Sequence, residues 1–129
     1  MRSAAHDTAE FLADGGLGAL GSELFVGSEP ATPDDCITVY DTPGLEPDPD
    51  NQRYRPAVQV RVRGASYTDA YERAATAREI LIGTAHNRPM GDSVYVGFWN
   101  EGDISSLGRD ESNRHRLVAT YRIIRQSEV

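Results

Sequence analysis

Hydrophobic and polar positions alternate most regularly in Pro56-Ala-Val-Gln-Val-Arg-Val-Arg-Gly64, where Val58, Val60 and Val62 fall on one side of an extended chain and Gln59, Arg61 and Arg63 on the other. That period of two predicts a half-buried strand with its valines toward a core. The period then lengthens. Tyr67, Ala70, Tyr71, Ala74, Ala77, Ile80 and Leu81 recur at helical spacing, so an amphipathic helix is expected from Ser66 to about Ile82. Ser66 with Asp69 forms a capping-box-like start, and Gly83 supplies the stop. The small alanine face lets this helix lie close to a sheet, with the two tyrosine rings packed and their hydroxyls reaching water.

Weaker patterns fill in the rest. Residues 3–14 read as a short helix, with Ser3 as N-cap, Ala4, Thr8, Phe11 and Leu12 near one face, and Gly15-Gly16 at its end. After the leucine–glycine turn of Leu17–Gly21, a first short strand is expected at Glu23–Val26 and a second at Cys36–Asp41, paired antiparallel across the turn-rich Ser28–Asp35. Thr42–Arg55 mixes Pro43, Pro47 and Pro49 with Glu46, Asp48 and Asp50, which suits neither helix nor ladder and predicts a long extended loop. Ser93–Trp99 and Arg116–Arg125 read as fourth and fifth strands, the latter with Tyr121 and Ile123 inside, and Asn100–His115 between them as a second long polar loop. The expected fold is α+β: a single mixed, mainly antiparallel sheet of about five strands, with two helices packed on one face, in the order α-β-β-β-α-β-β. The second helix is placed to make a crossover.

Composition narrows the chemistry. At 129 residues the chain is expected to form one domain that buries roughly two thirds of its unfolded surface. All 13 basic residues are arginine, so a phosphate-binding loop and Schiff-base chemistry lose the lysine they need. The net charge of −7 is uneven: residues 1–52 hold 11 acids and one arginine, residues 53–129 hold nine acids and 12 arginines, giving −10 and +3. Complementary halves of this kind suit neighbouring copies meeting acidic face to basic face, while solvated faces explain them equally well. The lone Cys36 opens an apolar run, so a buried strand thiol in a reducing compartment is expected. No stretch has the length of a membrane span or the apolar core of a signal peptide.

No residue set specifies a reaction. His6, His86 and His115 lack ligand spacing, so a metal site would need coincidence in space. Ser105, Ser106 or Ser112 could be drawn with His115 as a hydrolytic triad, yet no G-x-S-x-G elbow is present. Glu46, Asp48 and Asp50 have nothing obvious to fix a carboxylate spacing. Arg61 and Arg63, with Arg122 and Arg125 of the fifth strand, make a candidate basic patch. The acidity of the whole chain favours a neighbouring acidic subunit over nucleic acid as its partner.

Leu17-Gly-Ala-Leu-Gly21 leading to Leu24-Phe-Val-Gly27, the Val39-Tyr-Asp-Thr-Pro-Gly44 turn, Tyr54–Gly64, and Ile104-Ser-Ser-Leu-Gly-Arg-Asp110 together resemble the tail-terminator and minor capsid proteins of long-tailed, siphovirus-type bacteriophages. The resemblance spans most of the chain and implies one tail-terminator-like domain over residues 1–129. It implies a structural virion protein, not an enzyme, with no cofactor or metal. Such a protein forms a ring, commonly of six subunits, which caps the tail tube at the head–tail junction, stops its growth and meets the head connector. DNA passes through without specific binding. The alternatives are a head-completion or neck protein of the same virion, a small α+β hydrolase, or a dimeric regulator that binds charged peptides. Candidate subunit and tube contacts are Glu46, Asp48, Asp50 and Arg53 from the first loop, Asp103, Arg109 and Asp110 from the second, and Arg61, Arg63, Arg122 and Arg125 from the strands. Both loops are expected to project from the sheet.

Overall fold

A computed structural model describes residues 1–47 and 53–127. The elements run α1 (Ala4–Asp14), β1 (Leu24–Val26), β2 (Cys36–Leu45), β3 (Arg53–Gly64), α2 (Tyr67–Thr84), β4 (Arg88–Met90), β5 (Ser93–Asn100), β6 (Ser105–Arg109) and β7 (His115–Ser127). The strands form one mixed sheet in the order β1-β2-β3-β7-β5-β4, and β6 also pairs with β7. The α+β expectation holds, with seven strands in place of about five.

Alternation decides the core. Val58, Val60 and Val62 of β3 are buried together with Ile37 and Val39 of β2, and with Leu117, Ala119, Tyr121 and Ile123 of β7. Both helices join the same apolar cluster, α1 through Ala4, Ala5, Ala9 and Leu12, and α2 through Ala70, Ala74, Ala77 and Leu81. The four small or compact side chains of α2 let its axis approach the valine face. Ser3 caps α1 by accepting from the His6 amide at 3.1 Å, and Asp41 of β2 accepts from the Ala5 amide at 2.9 Å, so the helix start is tied to the sheet. α2 carries the chain from β3 over β7 to β4 and β5, the crossover expected of it.

Several elements differ from the expectations, each for a physical reason. β1 pairs with β2 in parallel, Leu24 opposite Ile37, because the intervening connector returns the chain to its starting end instead of reversing it in a tight turn. α2 runs through Gly83 to Thr84; Thr84 Oγ1 donates to the Ile80 carbonyl and the His86 ring contacts the Ile82 carbonyl, both at 2.6 Å, and Asn87 takes the left-handed conformation. Tyr67 and Tyr71 leave the core stripe and lie exposed, stacked on each other, with His115 edge-on to Tyr67.

Strand reaches into both expected loops. β2 continues to Leu45, which pairs with Arg55 across a bulge. Pro43 is tolerated there because β1 pairs only with Ile37–Val39, leaving β2 with a free side at Pro43. Asn100–His115 forms a bent continuation of the β5–β7 ladder: Asn100 faces Tyr121, Ser105 faces Val118 and Arg109 faces His115. A bulge at Ser106/Gly108, with Gly108 at φ 85°, absorbs the extra residue. This polar segment becomes a strand because β7 offers it a ready ladder, a case of tertiary context overriding propensity.

Candidate assembly surfaces

With both helices on the valine face, the opposite face of the sheet carries no helix. Rows of cross-strand neighbours run over it: Thr42, Ala57, Arg122 and Trp99 in one row, Thr38, Arg61 and Val118 in another. Near the first row the β2–β3 hairpin and the end of β5 enclose a groove of about 430 Å³, lined by Pro43, Gly44, Leu45, Arg55, Ala57, Trp99, Glu101, Arg122, Ile123 and Ile124. Leu45 and Trp99 are large apolar side chains left 61% and 43% exposed at its rim. Gly44 shapes this corner, since a Cβ there would collide with the Arg55 carbonyl oxygen and the Pro56 backbone.

A bulge turns Trp99 outward. Strict alternation would place Tyr95, Gly97 and Trp99 on one face, but the ladder shifts between Tyr95 and Gly97. Tyr95 and Phe98 therefore share the core side, stacked with centroids 5.6 Å apart, and the indole swings over Gly97 on the open face.

The candidate residues fall into separate settings. Arg61 and Arg122 lie on the open face; Arg61 donates to Gln59 and sits 4.8 Å above the Tyr40 ring. Arg63, on the same face, is only 2% exposed, because the connector before β2 folds over it: it donates to the carbonyls of Pro33 and Asp34 and lies 3.5 Å from Glu29. Arg125 lies on the helix side, in keeping with its shared parity with Tyr121 and Ile123, so Arg122 and Arg125 do not form one patch. It is 8% exposed, donates to Tyr95 Oη and the Arg2 carbonyl at 2.9 Å each, and lies 3.6 Å from Asp7. Arg53 opens β3 opposite Gln126, and Glu46 is exposed just beyond β2. Asp48 and Asp50 lie outside the described residues.

The remaining three candidates belong to the β5–β6–β7 arm. Asp103 accepts from Arg78 of α2 at 2.6 Å, and Arg109 donates to Asn113. Asp110 organises the turn, accepting from the Ser112 and Arg114 amides and from Arg114 Nε. These bonds, the Arg114 amide foremost, hold its carboxyl below the ordinary range. Arg114 also donates to the Ala31 carbonyl, so the arm's tip is pinned to the connector. No group of three or more His, Cys, Asp or Glu suited to a metal occurs among the described residues, and no described helix is long and apolar enough to cross a membrane. Cys36 is a buried free thiol, its pKa pushed up by burial.

Comparison with known families bears on these candidate surfaces. A profile described as bacteriophage tail terminator protein matches residues 11–127. The chain belongs to that family. It is thus a structural protein of the phage virion tail, from a family that is not one of enzymes. Among solved structures, 20 chains match. One, from "Virion of native gene transfer agent (GTA) particle", is 15% identical with a TM-score of 0.60, over 93% of this chain and 84% of that one; the likeness is one of fold. No curated protein sequence matches.

In this terminator-family chain, sequence reasoning about contacts favoured charges and passed over Trp99 and Leu45. Two adjacent aromatics in one strand, Phe98 and Trp99, were the available signal, since neighbours on a strand point to opposite faces.

Proposed function

We propose that copies of this chain form a ring, of six subunits, that caps the last layer of the tail tube, stops its growth and presents a surface to the head connector, with DNA passing through. The observation that carries this reading is family membership over residues 11–127; the two unlike faces of the sheet, one under helices and one open with the Trp99 groove, give the subunit the polarity that termination requires. A subunit with tube-binding surfaces on both sides would add layers without limit. A net charge of −7 favours a lumen whose acids repel phosphates and let the genome slide, where a basic lumen would bind it with strong salt dependence.

Sedimentation velocity and negative-stain imaging of the purified chain, alone and with tail tubes, test the reading. Rings seated at one end of the tubes are expected. A chain that stays monomeric at high concentration and ignores tube tips would overturn it, and an assembled ring with a mainly arginine lumen would remove the account of DNA passage.

A further inference from the structure

The outer side of α2 and the open face of the sheet carry opposite charge. Asp69, Glu72, Thr76, Glu79 and Gly83 recur at intervals of three and four residues and are all exposed, so they form one stripe turned away from the buried Ala70, Ala74, Ala77 and Leu81. None of its three acids has an ion-pair partner among the described residues. The two arginines of the helix are engaged elsewhere: Arg73 reaches Asp35 and the Arg63 carbonyl, and Arg78 holds Asp103.

On the open face the unmatched charges are cations. Arg122 is exposed and meets no carboxylate among the described residues. Arg61 has the Gln59 side chain and the Tyr40 ring as partners, neither a carboxylate, so its charge is not neutralised either. Val118, Ile124 and Trp99 stay partly exposed on the same face, apolar surface that a second layer would cover. The spacings agree. Arg61 lies opposite Val118, so Arg122 is four residues along and one strand across from it, about 14 Å at the usual strand dimensions. Asp69 and Glu79 are ten residues apart on the helix, about 15 Å. Thr76 and Gly83 keep the stripe between and beyond the acids small, so the helix can approach a sheet closely.

We propose that the outer side of α2 in one copy packs on the open sheet face of its neighbour, with Asp69 and Glu79 against Arg61 and Arg122. The contact rests on the ring proposed above and gives it a direction, because stripe and sheet face are different surfaces joined head to tail. Each sheet in the assembly then has helices on both faces, its own on one and its neighbour's on the other.

Trp99 is the chain's one tryptophan and lies opposite Arg122 in the ladder, so its fluorescence reports on the open face. The full-length chain is followed by emission and by sedimentation velocity across a dilution series. Emission is expected to move to shorter wavelength as copies associate, because a covering helix takes the indole out of water. E72R/E79R reverses the stripe and R61E/R122E reverses the sheet face. Each variant alone should associate roughly tenfold or more weakly, as expected when like charges are set against each other across an interface, and should keep its long-wavelength emission. An equal mixture of the two should recover association, because in an alternating ring every stripe meets a face of opposite charge. Urea midpoints check that each variant folds, and the single changes E79R and R122E, both at exposed positions, repeat the test with a smaller perturbation. A ring that forms with unmoved emission, or as readily from each variant as from the unaltered chain, overturns the contact and leaves the ring standing. A mixture that stays as weak as its components does the same. A chain that never associates at any concentration, with constant emission, overturns both.

Discussion

Asp7, on the inner side of α1, is 1% exposed; it accepts from Arg2 through two nitrogens and from Tyr95 Oη at 2.7 Å, with Arg125 in ionic contact at 3.6 Å. Replacing one member of such a buried ionic set leaves the others uncompensated, so Asp7→Asn should lower unfolding free energy by about 3–5 kcal/mol, read as a drop in urea midpoint. The two buried tyrosines should then respond oppositely to loss of their hydroxyls. Tyr95→Phe removes bonds to charged partners and should cost about 1.5–3 kcal/mol. The Tyr121 hydroxyl has no hydrogen-bond partner among the described residues, and burial pushes its pKa up to about 12. Tyr121→Phe should therefore be neutral or stabilising by up to about 1 kcal/mol; a loss as large as that of Tyr95→Phe would show a bond the fold does not reveal. The inward place of Arg125, which keeps step with Tyr121 and Ile123, overturns its expected place in a basic patch; the parity was the signal for it. Its partner Asp7 had no such signal, since nothing local joins the first helix to the last strand.

Among elements, long strictly periodic stretches could be read directly: β3, α2 and most of β7 lie where their patterns put them. β4 and β6 could not, because three to five polar or mixed residues carry no period of their own and become strands only where β5 or β7 supplies a ladder. The turn between β6 and β7 depends on an ionised Asp110, whose pKa is held below its ordinary value of 3.8 by the Arg114 amide and side chain and the Ser112 amide. A carboxyl depressed in the folded state contributes stability that is present above its unfolded value and is lost as pH falls through the folded one. The tip should accordingly loosen only below about pH 4, with faster exchange at the Ser112 and Arg114 amides and little change at Val60 or Tyr121. Titration followed by NMR checks this, and exchange at those amides that is indifferent to acid would contradict it.

For the whole molecule, the uneven charge of the two halves is in good part answered within the fold. Asp7 meets Arg125, Glu29 meets Arg63 and Arg116, Asp34 meets Arg114, and Asp35 meets Arg73. Acids early in the chain thus hold arginines late in it, where the charge counts suggested a contact between copies or solvated faces. Internal and external electrostatics should separate with salt. Between about 0.1 and 1 M, where the screening length falls from about 10 to about 3 Å, association of copies should weaken while resistance to urea changes little, because Arg63 and Arg125 are shielded by protein. Parallel sedimentation and unfolding series across that range test it; equal loss of both would place the salt-sensitive charges inside the subunit.

β7 lies between β3 on one side and β5 with β6 on the other, and it follows in the chain every strand that it joins. Until the ribosome releases it, the earlier strands are two unconnected halves, and the open face with its groove has no middle. On the reading proposed above, no partner can engage that face before β7 has joined the two halves, so the order of synthesis sets the earliest moment of contact.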